Sequence, residues 1–149
     1  IVLALKLQNK IPIIYGSEEF SSIIALRFKN QLQENSKVMS FSNNYPEINH
    51  NEIQGWSSDD KYFAIWLSDE KGNSSDFNSA QKLLNQLKID QLSIDLKNYL
   101  IPIDYRSGVL YALIYFFDWV SYYLALLQEE NPCSIDNIKY IKNNSPTSL

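Results

Sequence analysis

Residues 61–67, K-Y-F-A-I-W-L, form an almost unbroken apolar run rich in aromatics. A strand with one face in water alternates apolar and polar residues, whereas consecutive apolar positions call for cover on both faces. The run therefore predicts a central strand with a packed layer on each side, and the rest of the chain has to supply those layers.

Upstream, residues 2–7 suit either the close of a helix or a short strand, and I-P-I-I-Y at 11–15 reads as the first sheet strand. Gly16 and Ser17 follow as a tight turn, with Ser17 as helix N-cap and Glu18 and Glu19 where carboxylates complement the helix dipole. Phe20, Ile24, Phe28 and Leu32 recur at four-residue spacing, widened by Ile23, so a helix ending at Glu34 lays one stripe on the sheet. K-V-M-S-F-S at 37–42 reads as a short strand closed by the turn formers Asn43, Asn44 and Pro46.

Downstream of the central run, residues 68–75 form a polar loop with Gly72. Ala80, Leu83, Leu84 and Leu87 mark an amphipathic helix, and Q-L-S-I-D-L at 91–96 alternates as a strand. The order β-α-β-loop-β-α-β with short links predicts a three-layer α/β/α domain with a mostly parallel sheet, because each right-handed crossover lays its connection on a sheet face.

Residues 109–127, V-L-Y-A-L-I-Y-F-F-D-W-V-S-Y-Y-L-A-L-L, are apolar over a length that could cross a membrane. Asp118 in the middle, flanks without a positive cluster and tyrosines spread along the segment favour a long aromatic helix that is buried or faces a subunit. A last helix is expected with Pro132 at its entry and an apolar edge of Ile135, Ile138 and Ile141, followed by a flexible tail at 143–149.

At 149 residues and 45% hydrophobic content, the chain can build one domain with its own core, spanning residues 1–149. A net charge of −4 without a Lys/Arg cluster argues against nucleic-acid binding. A single cysteine, Cys133, excludes an intramolecular disulfide and a cysteine-based metal site and fits a reducing, cytoplasmic setting. The first residue is Ile1, not Met, and the expectation is a piece of a longer protein.

Chemistry concentrates between Glu34 and Trp56, a stretch that holds the only histidine, His50. A carboxylate at a helix end and an imidazole in a loop beyond the next strand are groups that move protons near neutral pH. A lone histidine is also commonly a surface or structural residue, so these two positions are candidates only. The Gly16-Ser17 turn is a poor phosphate cradle, since Glu18 and Glu19 would repel an anion and no Gly-rich loop is present.

The wording of the stretch is more specific. E-N-S-K at 34–37 followed by P-E-I-N-H-N-E-I-Q-G-W at 46–56 resembles the E-N-x-K and P-E-x-N-H-N-E-[IV]-x-G-[WY] signature of the second sugar-isomerase (SIS) domain in bifunctional phosphoglucose/phosphomannose isomerases of archaea and bacteria. F-D-W-V-S-Y-Y-L-A-L-L is similar to the family's G-D-[WY]-x-S-x-Y-L-A helix, with Phe117 in place of Gly. N-P-C-S-I-D-N-I-K-Y-I-K resembles the closing D-P-x-x-[VT]-x-x-I-x-x-L-K segment, with Asn131 for Asp and Ile135 at the [VT] position.

The resemblance implies a C-terminal SIS domain of a two-domain isomerase that interconverts glucose 6-phosphate, and mannose 6-phosphate with it, with fructose 6-phosphate. It implies Glu34 as the base that carries a proton between C1 and C2, His50 as an aid to ring opening, and Lys142 as the active-site lysine, with Lys139 as the competing position. It further implies no metal or organic cofactor and a homodimer in which His50 is contributed across the interface. The sugar phosphate is held with the help of an N-terminal SIS domain, since this chain shows no S-x-S-x-x-T loop. A sugar-phosphate-binding SIS module of a regulator is the alternative, and a structural dimerisation domain built on the aromatic helix is a third reading. Asn35, Asn49 and Asn51 read as fixing loop backbone, Glu47 and Glu52 as capping or solvent-facing, and Arg27 and Lys29 as a basic pair on the first large helix.

Overall fold

The structure is a computed structural model that describes residues 1–17, 21–68, 75–99 and 105–145. Its elements in order are α1 (Val2–Leu7), β1 (Ile11–Ser17), α2 (Ser21–Ser36) and β2 (Phe41–Tyr45), then two 3-10 turns (Glu47–His50 and Glu52–Gly55). They continue with β3 (Tyr62–Ser68), α3 (Ser75–Gln86), β4 (Asp90–Asp95), a third 3-10 turn (Leu96–Tyr99), α4 (Tyr105–Leu127) and α5 (Asp136–Asn144). The four strands form a parallel sheet in the order β2-β1-β3-β4.

β3 lies inside the sheet, paired with β1 on one side and β4 on the other, and Phe63 to Leu67 are all buried. Its side chains alternate between two cores. Phe63, Ile65 and Leu67 join Ile14 with Leu3 and Leu7 of α1, Ile24, Phe28 and Leu32 of α2, and Leu113, Phe117 and Leu124 of α4. Ala64 and Trp66 face the other way, with Tyr15, Tyr45, Ile48, Phe77 and Leu84. One face is thus covered by α1, α2 and α4, and the other by α3 and the two 3-10 turns, which is the three-layer α/β arrangement the apolar run demands.

Several expected boundaries move. β2 begins at Phe41, later than the K-V-M-S-F-S strand, and Asn43 and Asn44 pair with Tyr15 and Gly16 instead of turning the chain. Val38 leaves the ladder and enters the core, while Met39 is exposed. Ser17 is the last residue of β1; its N–H donates to Ser21 Oγ at 2.6 Å, and α2 runs from Ser21. Glu18, Glu19, Phe20 and Gly72 lie outside the described residues.

α2 runs two residues beyond Glu34, to Ser36, and Ile23 points to solvent instead of widening the buried stripe. Pro132 sits in the turn ahead of α5, which starts at Asp136, and Asn143 and Asn144 belong to that helix and not to a tail. Residues 146–149 lie outside the described residues.

Gly16 is required by close approach. A Cβ there would stand 2.6 Å from the backbone of Ser21 and Ser22, so the first turn of α2 seats directly on the end of β1.

Segment 107–127 of α4 is long and apolar enough to cross a membrane by length and composition. In the fold one stripe, Val109, Leu113, Phe117, Val120 and Leu124, is buried in the core. The opposite stripe, Tyr111, Tyr115, Trp119 and Leu126, is exposed. Phe117 stacks on Phe28 of α2 with ring centroids 4.1 Å apart, so the ring at the position where the family has Gly fills the seam between these helices.

Candidate active site

The motif E-N-S-K divides its work. Ser36 is buried and its Oγ donates to the Ser121 carbonyl of α4 at 2.7 Å. Asn35 Nδ2 donates to Ser121 Oγ at 2.9 Å and to Gln31 Oε1 at 3.0 Å, so Asn35 ties two helices together instead of fixing a loop. Lys37 Nζ donates to the carbonyls of Glu34 at 2.6 Å and Ser134 at 2.8 Å, joining the end of α2 to the segment before α5. The remaining residue, Glu34, is exposed. Three side chains thus hold the last turn of α2 in place, and the fourth is left available for chemistry.

Glu34 borders a cleft of about 260 Å³ whose opposite wall comes from Ile135, Asp136 and Ile138. The turn leading into this wall is closed by Asn131, whose Oδ1 accepts from the Cys133 N–H at 2.9 Å and whose carbonyl accepts from Ser134 N–H at 3.1 Å. Neither Lys139 nor Lys142 lines the cleft; both are exposed on α5. Lys142 follows Ile138 by four residues and Lys139 follows Ile135 by four, so each stands one helical turn beyond a residue of the wall.

His50 closes the first 3-10 turn and is exposed. It is not brought to Glu34 within one chain. α2 packs on the face of Ile14 and Ile65 and returns toward the strands' amino ends, where Glu34 sits in its last turn. The turn carrying His50 follows the carboxyl end of β2 and buries Ile48 on the opposite face, against Tyr15 and Trp66.

Glu52 departs most from its sequence reading. It neither caps nor faces solvent freely: Oε1 accepts from the Tyr15 hydroxyl at 2.5 Å and Oε2 from Asn43 Nδ2 at 2.6 Å. Trp56 Nε1 donates to the same Tyr15 oxygen at 3.0 Å. Burial pushes the Tyr15 phenol well above its ordinary value, and Glu52 adds to this as hydrogen-bond acceptor and negative charge, so Tyr15 stays a donor at neutral pH. Tyr15 sits in a plain apolar strand run and is paired only through the tertiary fold, which is why the sequence points to none of this. Asn51 does act locally, its Oδ1 accepting from Glu52 N–H and its Nδ2 donating to Glu47 Oε1 at 3.0 Å. Arg27 meets Asp118 at 3.5 Å on the surface, a pairing that adds little to stability.

Residues 1–144 match the bacterial phospho-glucose isomerase C-terminal SIS domain. The chain belongs to that family. Among curated proteins, this SIS domain is 34% identical over 148 residues to the bifunctional phosphoglucose/phosphomannose isomerase of Caldicellulosiruptor bescii, covering 95% of this chain and 42% of the relative. It is 32% identical over 140 residues to the enzyme of the same name from Thermoplasma volcanium, covering 89% of this chain and 42% of that one. The chain therefore spans less than half the length of these relatives. Among solved structures, the fold resembles a glucose-6-phosphate isomerase like protein from Thermus thermophilus with TM-score 0.66 at 18% identity, covering 95% of this chain and 46% of that chain. It also resembles glucosamine-6-phosphate deaminase from Thermotoga maritima with TM-score 0.63 at 16% identity, covering 86% of this chain and 38% of that chain.

Proposed function

We propose that this chain is the C-terminal catalytic half of an aldose-ketose sugar-phosphate isomerase that interconverts glucose 6-phosphate with fructose 6-phosphate. The observation that carries the reading is the exposed Glu34 carboxylate on a helix end fixed by its own motif, facing the first turn of α5 across a cleft. Membership in the isomerase family supplies the reaction class.

Moving a carbonyl between C1 and C2 needs one base that takes a proton from one carbon and returns it to the next. Glu34 takes that part, passing the substrate through a cis-enediol. Lys142, one turn above Ile138 on α5, steadies negative charge that develops on the sugar oxygens, with Lys139 as the competing lysine. His50 assists ring opening and comes from a second copy of the chain in a homodimer. The phosphate grip is assigned to an N-terminal SIS domain of the parent protein. Ile135 in the wall of the Glu34 cleft offers no hydroxyl with which to contact either sugar epimer, which speaks against dual specificity.

The test is conversion of fructose 6-phosphate to glucose 6-phosphate and mannose 6-phosphate by the parent protein and by its Glu34→Gln variant. The variant is expected to lose roughly 10²–10⁴-fold in kcat, the usual share of a general base. A parent that binds sugar phosphate without turnover would instead identify a regulatory binding module.

A further inference from the structure

We propose that Tyr15 and Glu52 are positioning residues for His50, an inference that rests on the ring-opening part assigned to His50 above. The connection from β2 to β3 contains no α-helix. It crosses the sheet as two single 3-10 turns whose backbone hydrogen bonds are local: Asn49 N–H to Pro46 O, Asn51 N–H to Ile48 O, Gln54 N–H to Asn51 O and Trp56 N–H to Ile53 O. Of these turn residues only Ile48 is buried. Ile53 and Trp56 pack partly against the same core, but most of the segment's backbone is exposed, and such a segment opens locally unless side chains tie it down.

The tie is the Glu52 carboxylate, two residues beyond His50. It draws one hydrogen bond from β1, through the Tyr15 hydroxyl at 2.5 Å, and one from β2, through Asn43 Nδ2 at 2.6 Å. Tyr15 is fully buried in β1, its ring 4.5 Å from that of Trp66, so the anchor point lies in a strand paired on both sides. The same hydroxyl accepts from Trp56 Nε1 and so holds the far end of the second turn. Asn51 joins the two turns through Glu47 and the Glu52 N–H, which leaves His50 on a backbone clamped before and after it.

An exposed imidazole that must act away from its own chain's core gains its orientation from its backbone, and a misplacement of about 1 Å can cost on the order of 10²-fold in rate. Glu52→Gln probes the clamp gently. The amide keeps the shape and the bond from Tyr15 but presents N–H₂ toward Asn43 Nδ2, and Asn43 Oδ1 is already engaged by the Asn44 N–H at 2.8 Å.

His50 is the only histidine of the 149-residue chain, so its imidazole C–H signals identify themselves by NMR. In Tyr15→Phe and Glu52→Gln these signals are expected to shift and broaden, and amide exchange over 47–55 to rise about tenfold or more, with the β3 amides as protected as before. In the parent isomerase, Glu52→Gln is expected to lower kcat about tenfold and to cost nothing further in a His50→Ala background. Unchanged imidazole signals and loop exchange in both variants would overturn the proposal, as would a full tenfold loss persisting without His50. Moved signals together with undiminished turnover in His50→Ala would uphold the clamp and remove His50 from the reaction.

Discussion

Glu34 and His50 stand on opposite faces of one sheet and beyond opposite ends of its strands. The reason is topological: Glu34 lies in the last turn of the helix that returns from β1 to the start of β2, whereas His50 follows the carboxyl end of β2 on the layer that packs against Tyr15 and Trp66. The proposed site, which uses both residues, accordingly takes His50 from a second copy of the chain.

Subunit complementation tests that consequence. When Glu34→Gln and His50→Ala forms of the parent enzyme are mixed as dissociated subunits and reassembled, half of the dimers carry one site with both residues intact, so roughly a quarter of wild-type turnover should return. Mixed dimers as inactive as the two single variants would place both residues in one chain's site.

Phe117 is the main departure from the family's helix pattern, and its ring is buried against Phe28. Phe117→Ala should cost about 3–5 kcal/mol by leaving a cavity between α2 and α4. Urea unfolding measures it, and a loss below about 1 kcal/mol would mean that the two helices close over the gap.

Gly16→Ala should destabilise by about 1–3 kcal/mol, because the added methyl meets backbone atoms of Ser21 and Ser22 at 2.6 Å and backbone cannot rotate away as a side chain can. Equal thermal midpoints for the variant and the parent chain would show that α2 does not seat on β1 in this way.

Tyr15 makes stability depend on pH at the alkaline end. Its folded-state pKa lies above the unfolded value, through burial first and Glu52 second. The folded state therefore keeps a proton that the unfolded chain gives up above about pH 10, so this contribution is complete below that pH and falls by about 1.4 kcal/mol per unit above it. Unfolding free energies measured from pH 9 to 11 should fall more steeply for the parent chain than for Tyr15→Phe, by one proton's worth; parallel curves would refute the assignment.

The α/β layering was legible in the sequence because it rests on apolar periodicity, which a chain carries locally. The run K-Y-F-A-I-W-L demanded cover on both faces, and the stripe of Ile24, Phe28 and Leu32 supplied one cover. Strand ends were less legible: Asn43 and Asn44 have turn chemistry, yet parallel pairing with Tyr15 and Gly16 satisfies their backbone and overrides that preference. Within the site, E-N-S-K and the histidine motif were visible as words, but their division of labour was not.

By itself the sequence determined the family, the helix and strand order and the candidate residues Glu34, His50, Lys139 and Lys142. Only the tertiary structure decided that Asn35 and Ser36 meet Ser121, that Ile135 shares a cleft with Glu34, and that Tyr15 holds Glu52. Those partners lie far apart in the chain, and no local pattern encodes a hydrogen bond between residues that only the folding of the sheet brings within reach.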